Sequence, residues 1–381
     1  MSVTTVTIVG ARPQFVKVAA VSRAMKKWNR ANPGQAIRDH IVHTGQHFDD
    51  NMSGVFFRQL DIPEPAYNLG IAGTSHGAMT GRMIESIETV LQEVRPDWVL
   101  VYGDTNSTLA AALAAIKLQI PVAHVEAGLR SFNMRMPEEV NRIVADSVST
   151  LLFCPTETAV ENLRREGYGC GVHNVGDVMF DASLHMRAIA ERQSDILDRL
   201  KLAPQEFVLA TCHRAENTDD PERLRAIVDA LREVSNEMPV VLPLHPRTRK
   251  LAMEYGLRER LDCLLVTEPL SYLDITRLEV AAAAIATDSG GMQKEAYFYQ
   301  VPCITLRDET EWVETISSGW NRLAPPTRSA LTQAIRGALV SRPLVYPQPY
   351  GNGSAAESVV EILCNTPRAI PNRRDQSVGS L

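Results

Sequence analysis

Three acidic side chains stand where short regular runs of this chain give out. The apolar run Trp98–Tyr102 ends in Gly103-Asp104-Thr105, the run Val122–Val125 ends in Glu126-Ala127-Gly128-Leu129-Arg130, and Pro137-Glu138-Glu139-Val140-Asn141-Arg142 opens a helical pattern. Carboxylates at strand ends in an α/β chain move protons or hold a ligand. Each also has a plainer role. Asp104, Thr105 and Asn106 can cap a helix, Glu126 can pair with Arg130, and Glu138 can sit in a first helical turn because the dipole favours it. Recurrence at three successive element ends points to a site.

A second group suits a phosphate. Thr287-Asp288-Ser289-Gly290-Gly291-Met292-Gln293-Lys294-Glu295 runs from a strand end into a helix. The Ser289 hydroxyl and the backbone N–H groups at Gly290 and Gly291 can meet a diphosphate at a helix N-terminus. Glu295, one turn further, can accept both hydroxyls of a ribose. The plainer reading is an Asp/Ser helix cap. Gly10-Ala11-Arg12-Pro13 follows the first strand, and Arg12 and Lys17 add positive charge near a helix start. That spacing is not GxGxxG, so it does not support a dinucleotide.

Four further motifs stand at strand ends. His213-Arg214-Ala215-Glu216-Asn217 and His245-Pro246-Arg247 each offer a histidine that can donate to a phosphate or act as an acid; alternatively Arg214 and Glu216 pair locally. His43-Thr44-Gly45-Gln46-His47 straddles a strand end and a glycine turn. It reads as a polar loop with Gln46 and His47 as hydrogen-bonding groups, not as a metal site, which needs a helix and a third ligand. Arg307-Asp308-Glu309-Thr310-Glu311-Trp312 brings charges and an aromatic that either stacks on a ligand or packs.

Elements must position these groups. Short apolar runs alternate with amphipathic stretches. Strands are expected at Val6–Val9, His40–Thr44, Trp98–Tyr102, Val122–Val125, Leu151–Cys154 and His173–Val175. A second series covers Phe207–Thr211, Val240–Leu244, Leu264–Thr267, Ala283–Thr287 and Cys303–Leu306. Helical patterns include Gly77–Val94, Ser107–Leu118, Glu138–Val148, Pro221–Glu237 and Gly291–Tyr299. This alternation predicts two doubly wound α/β domains with parallel sheets. The expected division is 1–172 and 173–353, with a helix at 354–366 docking back on the first domain and a polar tail over 367–381.

At 381 residues the chain can bury large cores, and a net charge of −6 argues against general nucleic-acid or membrane-surface binding. Cys154, Cys170, Cys212, Cys263, Cys303 and Cys364 are scattered with no CxxC pair, which fits buried thiols better than a disulfide framework or a structural zinc. The N-terminus has no basic-then-apolar leader and no run is long enough for a membrane span, so a cytoplasmic protein is expected.

In order and spacing these motifs resemble the non-hydrolysing UDP-N-acetylglucosamine 2-epimerase family, over roughly residues 6 to 354. The resemblance rests on Gly10-Ala11-Arg12-Pro13, Thr44-Gly45-Gln46-His47, Gly103-Asp104-Thr105, His124-Val125-Glu126-Ala127-Gly128-Leu129-Arg130, Pro137-Glu138-Glu139, Asn141-Arg142, His213-Arg214-Ala215-Glu216-Asn217 and Asp288-Ser289-Gly290-Gly291. It implies a GT-B-like pair of Rossmann-like domains with the active site between them, a UDP-sugar substrate, no cofactor and no metal, and a homodimer. It also implies anti elimination of UDP with loss of the C2 proton, a bound 2-acetamidoglucal, and re-addition with C2 reprotonated on the opposite face. The acid–base set carried over is Asp104, Glu126, Glu138 and His213. The UDP contacts carried over are Arg12, Lys17, Arg142, His245, Ser289, Gly290, Gly291 and Glu295.

Two stretches depart from the family pattern. Members read Arg-Asp-Thr-Thr-Glu-Arg-Pro where this chain has Arg307-Asp308-Glu309-Thr310-Glu311-Trp312-Val313, so Trp312 stands in place of an arginine. The segment Gly73–Gly81 lacks the Arg-Gln pattern of members activated by their own substrate. The resemblance leaves open UDP-2,3-diacetamido-2,3-dideoxy-glucuronic acid as an alternative substrate. Rival classes are a hydrolysing relative, a GT-B glycosyltransferase, against which the acid triad weighs, and a non-catalytic nucleotide-sugar-binding module.

Overall fold

The computed structural model describes residues 2–45, 60, 62–310 and 312–368, with Arg12 described by its backbone alone. The expected loop groups Gln46 and His47, and Glu311, lie outside the described residues. The chain divides into two compact units, Met1–Ala182 with Pro349–Leu381, and Ser183–Gln348.

The first unit holds a seven-stranded parallel sheet. Its strands are β1 Val3–Val9, β2 Ile37–His43, β3 Tyr67–Asn68, β4 Trp98–Tyr102, β5 Val122–Val125, β6 Leu151–Cys154 and β7 Val172–Asn174, in the order β3-β2-β1-β4-β5-β6-β7. Central strands of a parallel sheet are covered on both faces and read as unbroken apolar runs. Trp98-Val99-Leu100-Val101-Tyr102 is such a run and is fully buried. The helix Asn106–Lys117 packs closely against the sheet and its neighbouring helices because its side chains are small: Ala110, Ala111, Ala112, Ala114 and Ala115 are all buried. Thr105 starts that helix, its Oγ1 accepting from the Thr108 amide at 3.3 Å.

The second unit repeats the winding. Its six strands are β8 Val208–Thr211, β9 Val240–Pro243, β10 Leu265–Thr267, β11 Ala284–Thr287, β12 Cys303–Thr305 and β13 Asn321–Leu323, in the order β10-β9-β8-β11-β12-β13. Helix Pro221–Ser235 presents Leu224, Ile227, Val228 and Leu231 to Val208, Ala284 and Ile304, and helix Arg328–Val340 adds Leu331 and Ile335. Each such fully buried branched side chain contributes about 1.5–3 kcal/mol. Both sheets therefore have the doubly wound, Rossmann-like order.

The sequence pattern omits β3 and β13. Each is a short edge strand, Tyr67-Asn68 and Asn321-Arg322-Leu323, without an apolar run to announce it.

The chain leaves and re-enters the first unit side by side. The Tyr350 carbonyl accepts from the Asp177 amide at 2.9 Å, and a side chain at Gly176 (φ +85°) would stand 2.7 Å from that carbonyl. After re-entry, helix Ala355–Asn365 is fixed within the first unit: the Ala356 amide donates to Asp181 at 2.7 Å, and Lys27 pairs with Glu357 at 2.6 Å. Asp39 of β2 accepts from the Thr5 hydroxyl at 2.7 Å, and burial pushes its carboxyl up to about 6. All six cysteines are free, and among the described residues no helix is long and apolar enough to cross a membrane.

Candidate active site

In a doubly wound sheet the two strands whose connections diverge leave a crevice at their carboxyl ends, and ligands bind there. In the first sheet these strands are β1 and β4. Gln14 ties their ends together. Its Oε1 accepts from the Gly10 and Ala11 amides at 2.8 and 3.0 Å, and its Nε2 donates to the Tyr102 carbonyl at 2.9 Å. Gly103 then turns the chain with φ +62°; a Cβ there would lie 3.1 Å from Lys17 Nζ and 3.2 Å from Glu126 Oε2. This crowding places the Asp104 turn, Lys17 and Glu126 in one location.

Asp104 is held at both ends. Its carbonyl accepts from Asn141 Nδ2 at 2.9 Å, and its carboxylate pairs with Arg142, which also donates to Glu139 at 3.1 Å. Glu126 pairs with Lys17, both side chains nearly buried. Glu126 also has φ +74°, the left-handed region that a non-glycine residue enters at a cost of about 1–3 kcal/mol and that clusters at functional sites. The amides of Glu126 and Ala127 both donate to the Phe153 carbonyl at 3.0 Å, which holds that turn.

The two neighbouring acids at the start of helix Pro137–Val148 separate cleanly. Glu138 is exposed and lies four residues from Arg142, on the same helical face. Glu139 is buried and accepts from the Ser131 and Phe132 amides, each at 2.9 Å, so it shapes the preceding loop.

Local pairing of Glu126 with Arg130 does not occur. Arg130 instead donates to Asp146 and Glu166, each at 2.7 Å. Asp146 is fully buried, and it also accepts from His124 Nδ1 at 2.7 Å and from the Gly128 amide at 3.2 Å. Burial acts to raise its carboxyl, but the bonds and charges of His124 and Arg130 hold it below the usual carboxylate range. The other ring nitrogen of His124 lies 2.8 Å from the Gly103 carbonyl.

The second sheet diverges between β8 and β11. His213 follows β8, and its Nδ1 faces Asp288 Oδ1 at 3.2 Å with the imidazole half exposed. The same carboxylate accepts from the His213 and Arg214 amides at 3.0 Å and from Asn217 Nδ2 at 3.1 Å. Burial acts to raise Asp288, yet these bonds keep it below its ordinary value. The proton of His213 therefore belongs on Nδ1, which leaves the Nε2 lone pair to work as a base, the geometry of an oriented histidine.

Beside it, β11 opens into helix Gly290–Phe298, with Ser289 as N-cap accepting from the Met292 amide at 3.4 Å. Gly290 and Gly291 are its first two residues, so their N–H groups have no intrahelical partner. Glu295, one turn on, is nearly buried and accepts from the Tyr272 hydroxyl at 2.9 Å. His245 caps its own helix through Nδ1, 3.3 Å from the Arg247 amide. Arg214 and Glu216 do not pair: Glu216 lies 3.3 Å from Arg307. Trp312 packs, its buried ring 4.1 Å from the ammonium of Lys294.

Within the first unit the structure thus gathers Lys17, Asp104, Glu126 and Arg142, with Glu138 on the same helix as Arg142. Within the second it gathers His213, Ser289, Gly290 and Gly291 around Asp288, with Glu295 along the same helix. Three groups escaped the sequence reading as positioning residues: Gln14, Asp288 and Tyr272. Asp288 had a signal, because it precedes Ser289 at the end of a strand that neighbours the one bearing His213. Gln14 and Tyr272 had none.

Comparison with known proteins gives the family. The family model described as UDP-N-acetylglucosamine 2-epimerase matches residues 30–364. A Pseudomonas aeruginosa protein named UDP-2,3-diacetamido-2,3-dideoxy-D-glucuronate 2-epimerase is 51% identical over 362 residues, 94% of this chain and 98% of its own. A UDP-N-acetylglucosamine 2-epimerase homolog of Methanococcus maripaludis is 48% identical over 94% of this chain and 99% of its own. Among solved structures, Methanocaldococcus jannaschii UDP-GlcNAc 2-epimerase in complex with UDP-GlcNAc and UDP superposes with a TM-score of 0.82 at 42% identity, covering 95% of this chain and 99% of that one. With a matched model over most of its length and relatives of this identity, the chain belongs to the UDP-N-acetylglucosamine 2-epimerase family, as an enzyme of its non-hydrolysing kind.

Proposed function

We propose that the enzyme interconverts UDP-GlcNAc and UDP-ManNAc through a GT-B-like pair of units that act on one substrate. The observation that carries the proposal is the pairing, at the first sheet's divergence point, of the left-handed, nearly buried Glu126 with the turn that bears Asp104. A carbon acid as weak as C2–H needs a positioned carboxylate shielded from water. Inversion at C2 needs removal of the proton on one face and delivery on the other, and so more than one acid–base group. Asp104, Glu126 and Glu138 form that pool.

The C2–H electron pair becomes the C1–C2 double bond of 2-acetamidoglucal as the C1–O bond to UDP breaks. Re-addition of UDP at C1 with a proton to C2 completes the cycle. The departing diphosphate needs cations and N–H donors. Ser289, Gly290 and Gly291 supply donors, Glu295 takes the ribose, and Arg12, Lys17, Arg142 and His245 supply charge or a polar contact. His213, with Asp288 behind it, serves as the acid–base group of the second unit. This reading includes a homodimer.

A second reading takes UDP-2,3-diacetamido-2,3-dideoxy-glucuronic acid as substrate. The relative that bears this activity in its name shares 51% identity over nearly the whole chain, and Trp312 replaces an arginine of the family pattern.

The test is NMR of the EDTA-treated protein in D₂O with each nucleotide sugar. UDP-ManNAc deuterated at C2, with little net UDP, is the expected product from UDP-GlcNAc. Turnover of the diacetamido-uronate alone selects the second reading. Free ManNAc with UDP marks a hydrolase, and no turnover of either sugar overturns both readings.

A further inference from the structure

His124 lies beneath the carboxylates and is fully buried. Both of its ring nitrogens face acceptors. Nδ1 is 2.7 Å from Asp146 Oδ1, and Nε2 is 2.8 Å from the Gly103 carbonyl, which has lone pairs only. Asp146 is itself committed as a charged acceptor, receiving Arg130 Nη1 at 2.7 Å and the Gly128 amide at 3.2 Å on its other oxygen. A neutral imidazole would set one lone pair against an acceptor, and rotating the ring by half a turn would aim two C–H groups at the acceptors.

We infer that His124 is a doubly protonated positioning residue, a buried imidazolium that spans Asp146 and the Gly103 carbonyl and so fixes the turn carrying Asp104. Asp146 pins the Glu126–Gly128 turn through the Gly128 amide and the Asp104 turn through His124, so one carboxylate sets the geometry of both acids. Gly103 is bonded on its other side as well, its amide donating to the Val125 carbonyl at 3.0 Å. A positioning residue of this kind governs the proton-transfer step more than substrate binding. Its catalytic consequence rests on the epimerase reading; its protonation state does not.

The first measurement is ¹⁵N NMR of the full chain labelled at histidine, at pH 7.5 without substrate. Both ring nitrogens of His124, assigned by loss of its signals in His124→Gln, are expected to be protonated. In Asp146→Asn the Nδ1 proton is expected to be lost while the Nε2 proton stays on Gly103. A single protonated nitrogen in the native chain overturns the inference, whatever the enzyme's substrate. The second measurement is steady-state kinetics on the sugar that the native enzyme turns over. His124→Gln is expected to lower kcat about 100-fold with KM within about threefold, and to slow C2 deuterium exchange equally. A variant that folds, as judged by its circular dichroism and melting curve, and keeps kcat within threefold of native overturns the positioning role. If the native enzyme is inactive on both sugars, the epimerase reading fails while the NMR result stands on its own.

Discussion

The two sheets share one winding order yet place opposite chemistry at their divergence points. At the end of β4 the first unit gathers carboxylates and balances each against a cation, Glu126 with Lys17 and Asp104 with Arg142. At the end of β11 the second unit offers unpaired backbone donors at a helix start, and the carboxylate at that strand end, Asp288, is engaged in orienting His213. The fold fixes where the strand ends meet, while the residues at those ends fix what they do. The first end suits proton transfer, and the second suits an anion that leaves and returns.

Removing an acid should break the first end without touching the second. Asp104→Asn and Glu126→Gln are each expected to lower kcat by about 100- to 10,000-fold, the usual worth of a positioned acid or base, with little change in UDP affinity measured by calorimetry. Equal losses of turnover and UDP binding would merge the two ends into one function.

In the second unit, Asp288→Asn should cost about 100-fold in kcat, because it disturbs the His213 tautomer while leaving the helix start intact. A wild-type rate in that variant would remove His213 from the acid–base set.

Ser289→Ala should act on the anion end alone. It removes an N-cap, costing about 1 kcal/mol of stability in chemical denaturation, and should weaken UDP binding several-fold with C2 exchange per bound substrate unchanged.

The smallest effect serves as a control away from both ends. Burial raises the Asp39 carboxyl to about 6, so its stabilising contribution is complete below its unfolded value near 4 and is lost as pH rises through about 6. Above that pH the partly buried charge is a cost, and Asp39→Asn, which keeps an acceptor for Thr5, should stabilise the chain by about 1 kcal/mol at pH 7.5. The gain should vanish by pH 4 in melting experiments, and kcat should not move.

Much of this was legible in the chain. Unbroken apolar runs such as Trp98–Tyr102 announced the central strands, and Thr105 and Pro137 announced helix starts, because those signals are local. The edge strands β3 and β13 were not legible, since neither carries an apolar run. Charge partners were the least legible. Glu126 has Arg130 four residues away and yet pairs with Lys17, more than a hundred residues distant, because the left-handed turn at Glu126 and the pull of Asp146 and Glu166 on Arg130 separate the near neighbours. Trp312 could be read from sequence as a stacking platform or as packing; its ring lies over Lys294.

The contact of Tyr350 with Gly176 and Asp177 has a consequence for how the gene can be cut. Since the outgoing and returning chain touch, the stretch from 183 to 348 is an insert in a host that begins and ends outside it. A short splice that keeps the host through Ala182, and with it the Asp181 that holds the closing helix, and rejoins it at Pro349 would leave all seven strands of the host and that helix on one continuous reading frame, and would free the insert, with its own six strands, to be expressed as a separate cassette.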